Sequence, residues 1–363
     1  MQLELFNLVD SDKQTFKEIH IKTQDDLKLA WSKNCDTIEE EQANGIIFTN
    51  DEKKKIVARA QKKIIKATPE QITNALANPD TIAEYCEDGT VIRLYHYNDT
   101  WHTATPRCID GKNSYFSAKK TFDEMFWELF DRTDTSHLDT MYTYVFILLH
   151  VENRIVVKHE QNKLVFVCNI NNETGMEFYE PPELTFTTLT RLQQIDVSNG
   201  ITDFMQKGLQ DKRGIILKVP NDSGTMYTSF MIDFDAYKTV KRVRGNSPDV
   251  VYRYLSLLQD DESMMLFRKN YSEHLELFSR INKELYSLYK KTFKMYLDTY
   301  VYRTITHGHD HNHNHNHNHN YNYILRAYHK EYKAKGSRLM EEDAIRVFYN
   351  IRAYKLFPLI NLC

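Results

Sequence analysis

The spacing of apolar positions changes twice along the chain and divides it into three stretches. Up to residue 84 it reads as mostly helical. The clearest helix is predicted over 51–66, where Ile56, Val57, Ala60, Ile64 and Ile65 form one stripe and Asp51 and Glu52 open the element, as a helix dipole favours. Lys53, Lys54, Lys55, Arg59, Lys62, Lys63 and Lys66 fill the opposite side. That basic side reads either as a track for a phosphate backbone or as a solvated face. A second helix is predicted to open at Thr68-Pro69-Glu70-Gln71, a capping box with proline at the first helical position.

From Thr90 the period becomes two. Residues 90–97 and 101–108 are short β-branched and aromatic runs around Asn98-Asp99-Thr100, which predicts a hairpin. Thr121 and Glu124 form a second capping box, followed by Met125, Phe126, Leu129 and Phe130 at helical spacing. Further strands are expected over 142–149, 154–159, 163–168, 214–219 and 226–232. Hairpin-like succession with an inserted helix predicts an antiparallel α+β core, not a βαβ dinucleotide fold. After Pro248 the pattern is helical again, with Leu257, Leu258, Met264, Leu266, Leu275, Leu277, Phe278, Leu285 and Leu288 as core stripes. The expected organisation is a helical region over 1–84, a mixed domain over 85–246 and a helical domain over 247–363.

Composition narrows the classes. A hydrophobic share of 41% with 27% charged residues is the balance of a soluble globular protein, and 363 residues exceed what one core usually holds. The longest apolar run, 145–149, is too short to span a bilayer, and the first ten residues carry acids and no bases, so neither a membrane nor a secretory destination is expected. Cys35, Cys86, Cys108, Cys168 and Cys363 are odd in number and lack C-x-x-C spacing, which reads as reduced thiols in a cytoplasmic compartment. A net charge of -3 gives no global pull towards nucleic acid, so any such binding must use local basic surface. The abundance of tyrosine (23) and phenylalanine (19) fits stacking platforms or AT-rich coding equally. His307, His309, His311 and His313 begin a tract alternating with asparagine that continues to His319. Its imidazoles could bind a transition metal, but no orienting second ligand set accompanies them, and a low-complexity loop over 307–322 is the plainer reading.

Cys86-Glu87-Asp88-Gly89-Thr90 opens a resemblance to the bacteriophage-type RNA ligase group of covalent nucleotidyltransferases, in which a K-x-D-G motif starts the first core strand. Trp101-His102-Thr103-Ala104-Thr105 resembles the W-x-x-A-T segment. Glu152-Asn153-Arg154-Ile155-Val156 resembles an N-R-I-V element, and Gly214-Ile215-Ile216-Leu217-Lys218 an E-G-x-V motif. With residues 109–126 and Arg244-Gly245-Asn246-Ser247-Pro248, the order is most similar to ligase-like proteins of very large DNA viruses. The resemblance implies an antiparallel nucleotidyltransferase core of the ATP-grasp-like ligase kind, flanked by helical regions.

It also implies a chemistry. In that group a lysine attacks the α-phosphate of a nucleoside triphosphate, acidic residues hold ribose and a divalent metal, and late lysines neutralise phosphate. Here Cys86 stands at the nucleophile's position, Ile147 at an acidic one, Arg213 at the glutamate before the glycine, and Met231 and Asp233 where phosphate-binding lysines are expected. Asp88, Arg93, Lys218, Lys238, Lys241 and Arg242 remain as candidate nucleotide or RNA contacts; the last three read equally as a basic surface loop. The expectation is a catalytically degenerate RNA ligase-like protein keeping a nucleotide- or RNA-binding cleft, in a host cytoplasm or virion if viral. Two alternatives stay open: an active ATP- and Mg-dependent ligase with Lys112, Lys158 or Lys218 as displaced nucleophile, and a viral structural or interaction protein.

Overall fold

A computed structural model describes residues 19–32, 43–116, 119–198, 200–207, 211–221, 226–303 and 315–361. Met1 to Asp10, Cys35, Cys363 and the tract from His307 to His313 lie outside the described residues. The chain divides into two compact units, 1–238 and 239–363.

The described residues of the first unit form three sheets. Strands β1 (Ile19–Gln24), β2 (Leu27–Ser32), β3 (Ile46–Thr49) and β4 (Ile56–Ala58) form an antiparallel sheet in sequential order. This corrects the helical expectation for the N-terminal region, and the helix over 51–66 does not form. Asp51 caps a turn instead, accepting from the Thr49 hydroxyl at 2.7 Å and the Lys54 amide at 3.0 Å. That turn returns Ile56 and Val57 to pair beside β3, where both are buried. Their β-branched side chains fit a pleated surface as well as a helical stripe, and tertiary pairing decides between them. The basic run is thereby split between the turn and an extended stretch, and is no single helical face. Helix α1 (Pro69–Ala77) does form in this part, opening on the expected capping box at Thr68.

The six-stranded sheet contains β7 (Thr90–Tyr97), β8 (Thr100–Ala104), β9 (Tyr142–Leu149), β10 (Lys163–Asn171), β11 (Glu177–Phe178) and β12 (Leu189–Arg191). Its order is β11-β10-β9-β7-β8, with β12 parallel beside β10 and the other pairs antiparallel. Asn98 and Asp99 both have positive φ, as a two-residue hairpin turn matching the strand twist requires. Alternation along β9 assigns its faces. Tyr144, Phe146 and Leu148 pack on Met125 and Phe126 of α2 (Phe122–Trp127), while Val145 packs on the other side with Cys168 and Ile170. The strand expected over 154–159 is absent, and its Val156 and Val157 amides are engaged elsewhere, as described below.

The third sheet has the order β5-β14-β13-β6, from β5 (Ile65–Lys66), β6 (Ile82–Cys86), β13 (Gly214–Pro220) and β14 (Tyr227–Asp233). A short helix α3 (Thr202–Lys207) precedes β13.

Arg93 ties two of these sheets together from inside. It is fully buried, and its guanidinium donates to the Gly45 carbonyl and, at 2.7 Å, to the Thr105 carbonyl. Burial pulls its pKa down to about 10, so it stays protonated at neutral pH. It braces the interior and does not face a ligand, contrary to the expectation of a phosphate contact. Arg93→Met strands two buried carbonyls while removing a buried charge, so a net loss of about 2 kcal/mol is expected from urea unfolding.

Helix α4 (Asp235–Arg244) spans the division between units and replaces the basic loop expected there. The second unit continues with α5 (Val250–Ser256), α6 (Asp261–Asn270), α7 (Leu275–Tyr296), α8 (His315–Lys335), α9 (Glu341–Tyr349) and α10 (Ala353–Leu356). Its core is aromatic: Tyr254 stacks on Phe278 at 4.7 Å, with Phe267, Tyr289, Tyr328 and Phe348 buried around them. Leu275, expected in the core, is exposed at the first turn of α7. Residues 315–322 are the start of α8 and not part of a loop. Among the described residues, no helix is long and apolar enough to cross a membrane.

Candidate functional site

The third sheet brings the sequence-predicted positions together. Cys86 lies opposite Gly214, which lies opposite Asp233; Glu84 is opposite Ile216 and Ile216 opposite Met231; Lys218 is one step further along β13. Since side chains alternate, Glu84, Cys86, Ile216, Lys218, Met231 and Asp233 share one face. Lys218 Nζ reaches to 4.8 Å from the Tyr179 ring, and Tyr179 packs with Val145, Cys168 and Ile170. This face therefore looks at the side of the six-stranded sheet that carries Val145 and, two residues on, Ile147.

Its side chains are tied to one another by burial and ion pairs. The Cys86 Sγ sits 3.9 Å from Met231 Sδ. Burial pushes this thiol up to about 12, Asp233, Asp88 and Glu87 act in the same direction, and Arg213 offsets only part of it. A protonated thiol is a poor nucleophile at neutral pH. Arg213, just before β13, places Nε 2.7 Å from Asp233 Oδ1. Burial works against its charge, but Asp233 and Tyr237 outweigh that and hold it above its ordinary value. Lys218 Nζ lies 2.7 Å from Glu84 Oε2, with both side chains nearly buried, and Lys212 lies 2.5 Å from Glu87. The cations on this face are thus neutralised by acids of the same chain.

A metal ion with a bound nucleoside triphosphate does not fit this arrangement. On the alignment that the resemblance implies, Arg213 would stand in the place of a metal-holding acid and Asp233 in that of a phosphate-binding base, and each would repel the group it would have to hold. Among the described residues, no three His, Cys, Asp or Glu side chains cluster as a metal site.

Asp88 organises the edge of the site. Its Oδ2 accepts from the Val156 and Val157 amides at 2.8 and 2.9 Å, and its Oδ1 accepts from the Tyr237 hydroxyl at 2.8 Å. His159 Nε2 meets the Asp88 carbonyl at 2.8 Å, and Asn153 donates to the Thr90 hydroxyl at 2.9 Å. The first two take the Val156 and Val157 amides, which a strand over 154–159 would have offered. They also make Asp88 a positioning group, not a ligand contact. Gly89 is required by close approach, since a Cβ there would come within 2.5 Å of Ile147 and 2.6 Å of the Leu148 carbonyl.

Lys238 pairs along α4 with Asp235 at 2.9 Å, and Lys241 and Arg242 fall in the second unit. Lys112, in a 3-10 turn over Gly111–Asn113, and Lys158, on a loop, are both exposed. Glu84, Lys212, Tyr179 and Tyr237 were not anticipated. Only Glu84 left a signal, because two residues before Cys86 in a strand means the same face.

No family model matches the chain. It is 26% identical over 229 residues to an immediate-early protein ICP-46 homolog of Invertebrate iridescent virus 3, covering 58% of this chain and 48% of that protein. It is 31% identical over 109 residues to an RNA ligase of Rhodothermus phage RM378, covering 26% of this chain and 25% of the ligase. The chain thus spans half or less of the length of these two relatives. An archaeal ATP-dependent RNA ligase superposes with a TM-score of 0.45 at 9% identity, over 76% of this chain and 70% of that one. Relatives in a phage and in large DNA viruses, some of them named RNA ligase, bear out the resemblance read from the motifs.

Proposed function

We propose that this relative of proteins named RNA ligase is a non-catalytic member of their kind, retaining the α+β scaffold and acting by binding RNA. The observation that carries this reading is Cys86: the position that should supply an amine holds a buried, protonated thiol. Arg213–Asp233 and Lys218–Glu84 support it, because cations committed to internal carboxylates are not available to a triphosphate. Losing one preorganised contact typically costs about 10²- to 10³-fold in rate, and here nucleophile and partners are replaced together. ATP or GTP with a divalent metal serves as a probe, not as an assigned cofactor.

The full chain, incubated with α-labelled ATP or GTP and Mg²⁺ or Mn²⁺ and then denatured, is expected to carry no label. Acid-released label surviving denaturation would overturn the proposal. If Lys218→Arg then abolished that label, Lys218 would be the displaced nucleophile and the protein an active nucleotidyltransferase.

A further inference from the structure

The two units carry opposite charge. Residues 1–238 hold 27 Lys and Arg against 37 Asp and Glu, a formal charge of -10, whereas residues 239–363 hold 20 against 13, a charge of +7. The ligase-like unit is therefore the unfavourable half for a polyanion, and the helical unit the favourable one. Such asymmetry between halves points to a nucleic-acid contact on the basic side.

Within the helical unit, one surface concentrates the charge. Along α8, Tyr323, Arg326, Lys330 and Lys333 are all exposed and recur at spacings of three and four, so they form one stripe. The ten helical steps from Tyr323 to Lys333 set its length at roughly 15 Å, the span of two to three phosphates of a single strand. No acidic residue interrupts it. The neighbouring cations Lys335 and Arg346 are taken up by Asp343 and Glu331, and the stripe stands outside those pairs. Beside its start, Lys355 of α10 lies 5.2 Å from the Tyr323 ring and 5.3 Å from the Tyr354 ring. Both rings remain substantially exposed, at 38% and 48%. Cations in a row beside open aromatic faces are the pairing that single-stranded nucleic acid uses, phosphate on the charges and base on the rings.

We propose that the α8 stripe, with Tyr354 and Lys355, is a binding surface for single-stranded RNA, lying wholly in the C-terminal unit. It supplies the site for the RNA binding proposed above but does not depend on the loss of chemistry: a labelled adduct would overturn that loss and leave this surface untouched.

Fluorescence anisotropy of the full chain with a labelled single-stranded RNA of roughly 20 nucleotides tests it at about 50 and 200 mM salt. Binding is expected at the lower salt and should weaken as salt rises. Arg326→Gln/Lys330→Gln/Lys333→Gln should weaken it at least about tenfold and reduce the log–log salt slope by about 2, since each phosphate contact on a single strand contributes about 0.7. Tyr323→Ala/Tyr354→Ala should weaken it several-fold with the slope unchanged. Lys53→Gln/Lys54→Gln/Lys55→Gln, the basic run of the acidic unit, should bind like the parent. All substituted positions except the half-buried Lys54 are exposed, and circular dichroism verifies the fold of each variant. Parent-like binding by the α8 variant, equal affinity for duplex RNA, or no binding at the lower salt would each overturn the proposal. So would a preference for acidic polypeptide, such as polyglutamate, over RNA.

Discussion

Asp88→Ala is expected to lose about 4 kcal/mol of unfolding free energy, while Asp88→Asn loses about 1 kcal/mol or less. The difference comes from what the carboxylate does. Oδ2 takes the Val156 and Val157 amides and Oδ1 takes the Tyr237 hydroxyl, all three within 2.9 Å. Alanine leaves two buried amides and a phenol without partners, and each unmade bond to a buried group costs about 1–3 kcal/mol. Asparagine can keep the amide bonds through its oxygen and turn its amino group to the Tyr237 oxygen, reversing that one donor. Urea unfolding of both variants decides between this and a chemical role. If the two were equally stable, the aspartate of the D-G turn would not be the clasp between the first core strand, residues 153–159 and α4.

That clasp also explains which parts of the molecule were legible in the sequence. Strands β9, β13 and β14 and both capping boxes were readable because local period and local polar chemistry agree there. The stretch over 154–159 looks like a strand locally. Its amides are claimed by Asp88, which is remote in sequence, and no window on the stretch contains that information. The N-terminal sheet failed for a related reason: Ile56 and Val57 satisfy a helical stripe and a strand equally, and pairing with β3 chose the strand. Within the site, the positions of Cys86, Met231 and Asp233 followed from the motif alignment, though not that they share one face. The partners Glu84, Lys212 and Tyr237 did not, because ion pairs across a sheet depend on register, which turns and packing set.

Register also sets the last expected result. Lys218→Met should cost about 3–5 kcal/mol, and adding Glu84→Leu should recover most of that loss. Glu84 and Lys218 are each less than a tenth exposed and sit 2.7 Å apart, with the Tyr179 ring beside the ammonium. Removing the lysine alone leaves the Glu84 carboxylate buried beside Ile216 and Cys86, and an uncompensated buried charge is far more costly than the pair. Removing both leaves apolar side chains of similar volume, a change that is often neutral or stabilising. A double-mutant cycle by urea unfolding measures the coupling. Strong coupling means that Lys218 is held by Glu84 as part of the fold and is withheld from any phosphate. Single variants that each lose less than about 1 kcal/mol would mean a solvated pair. Lys218 would then be free to meet a nucleotide, and the non-catalytic reading would lose one of its two ion-pair supports.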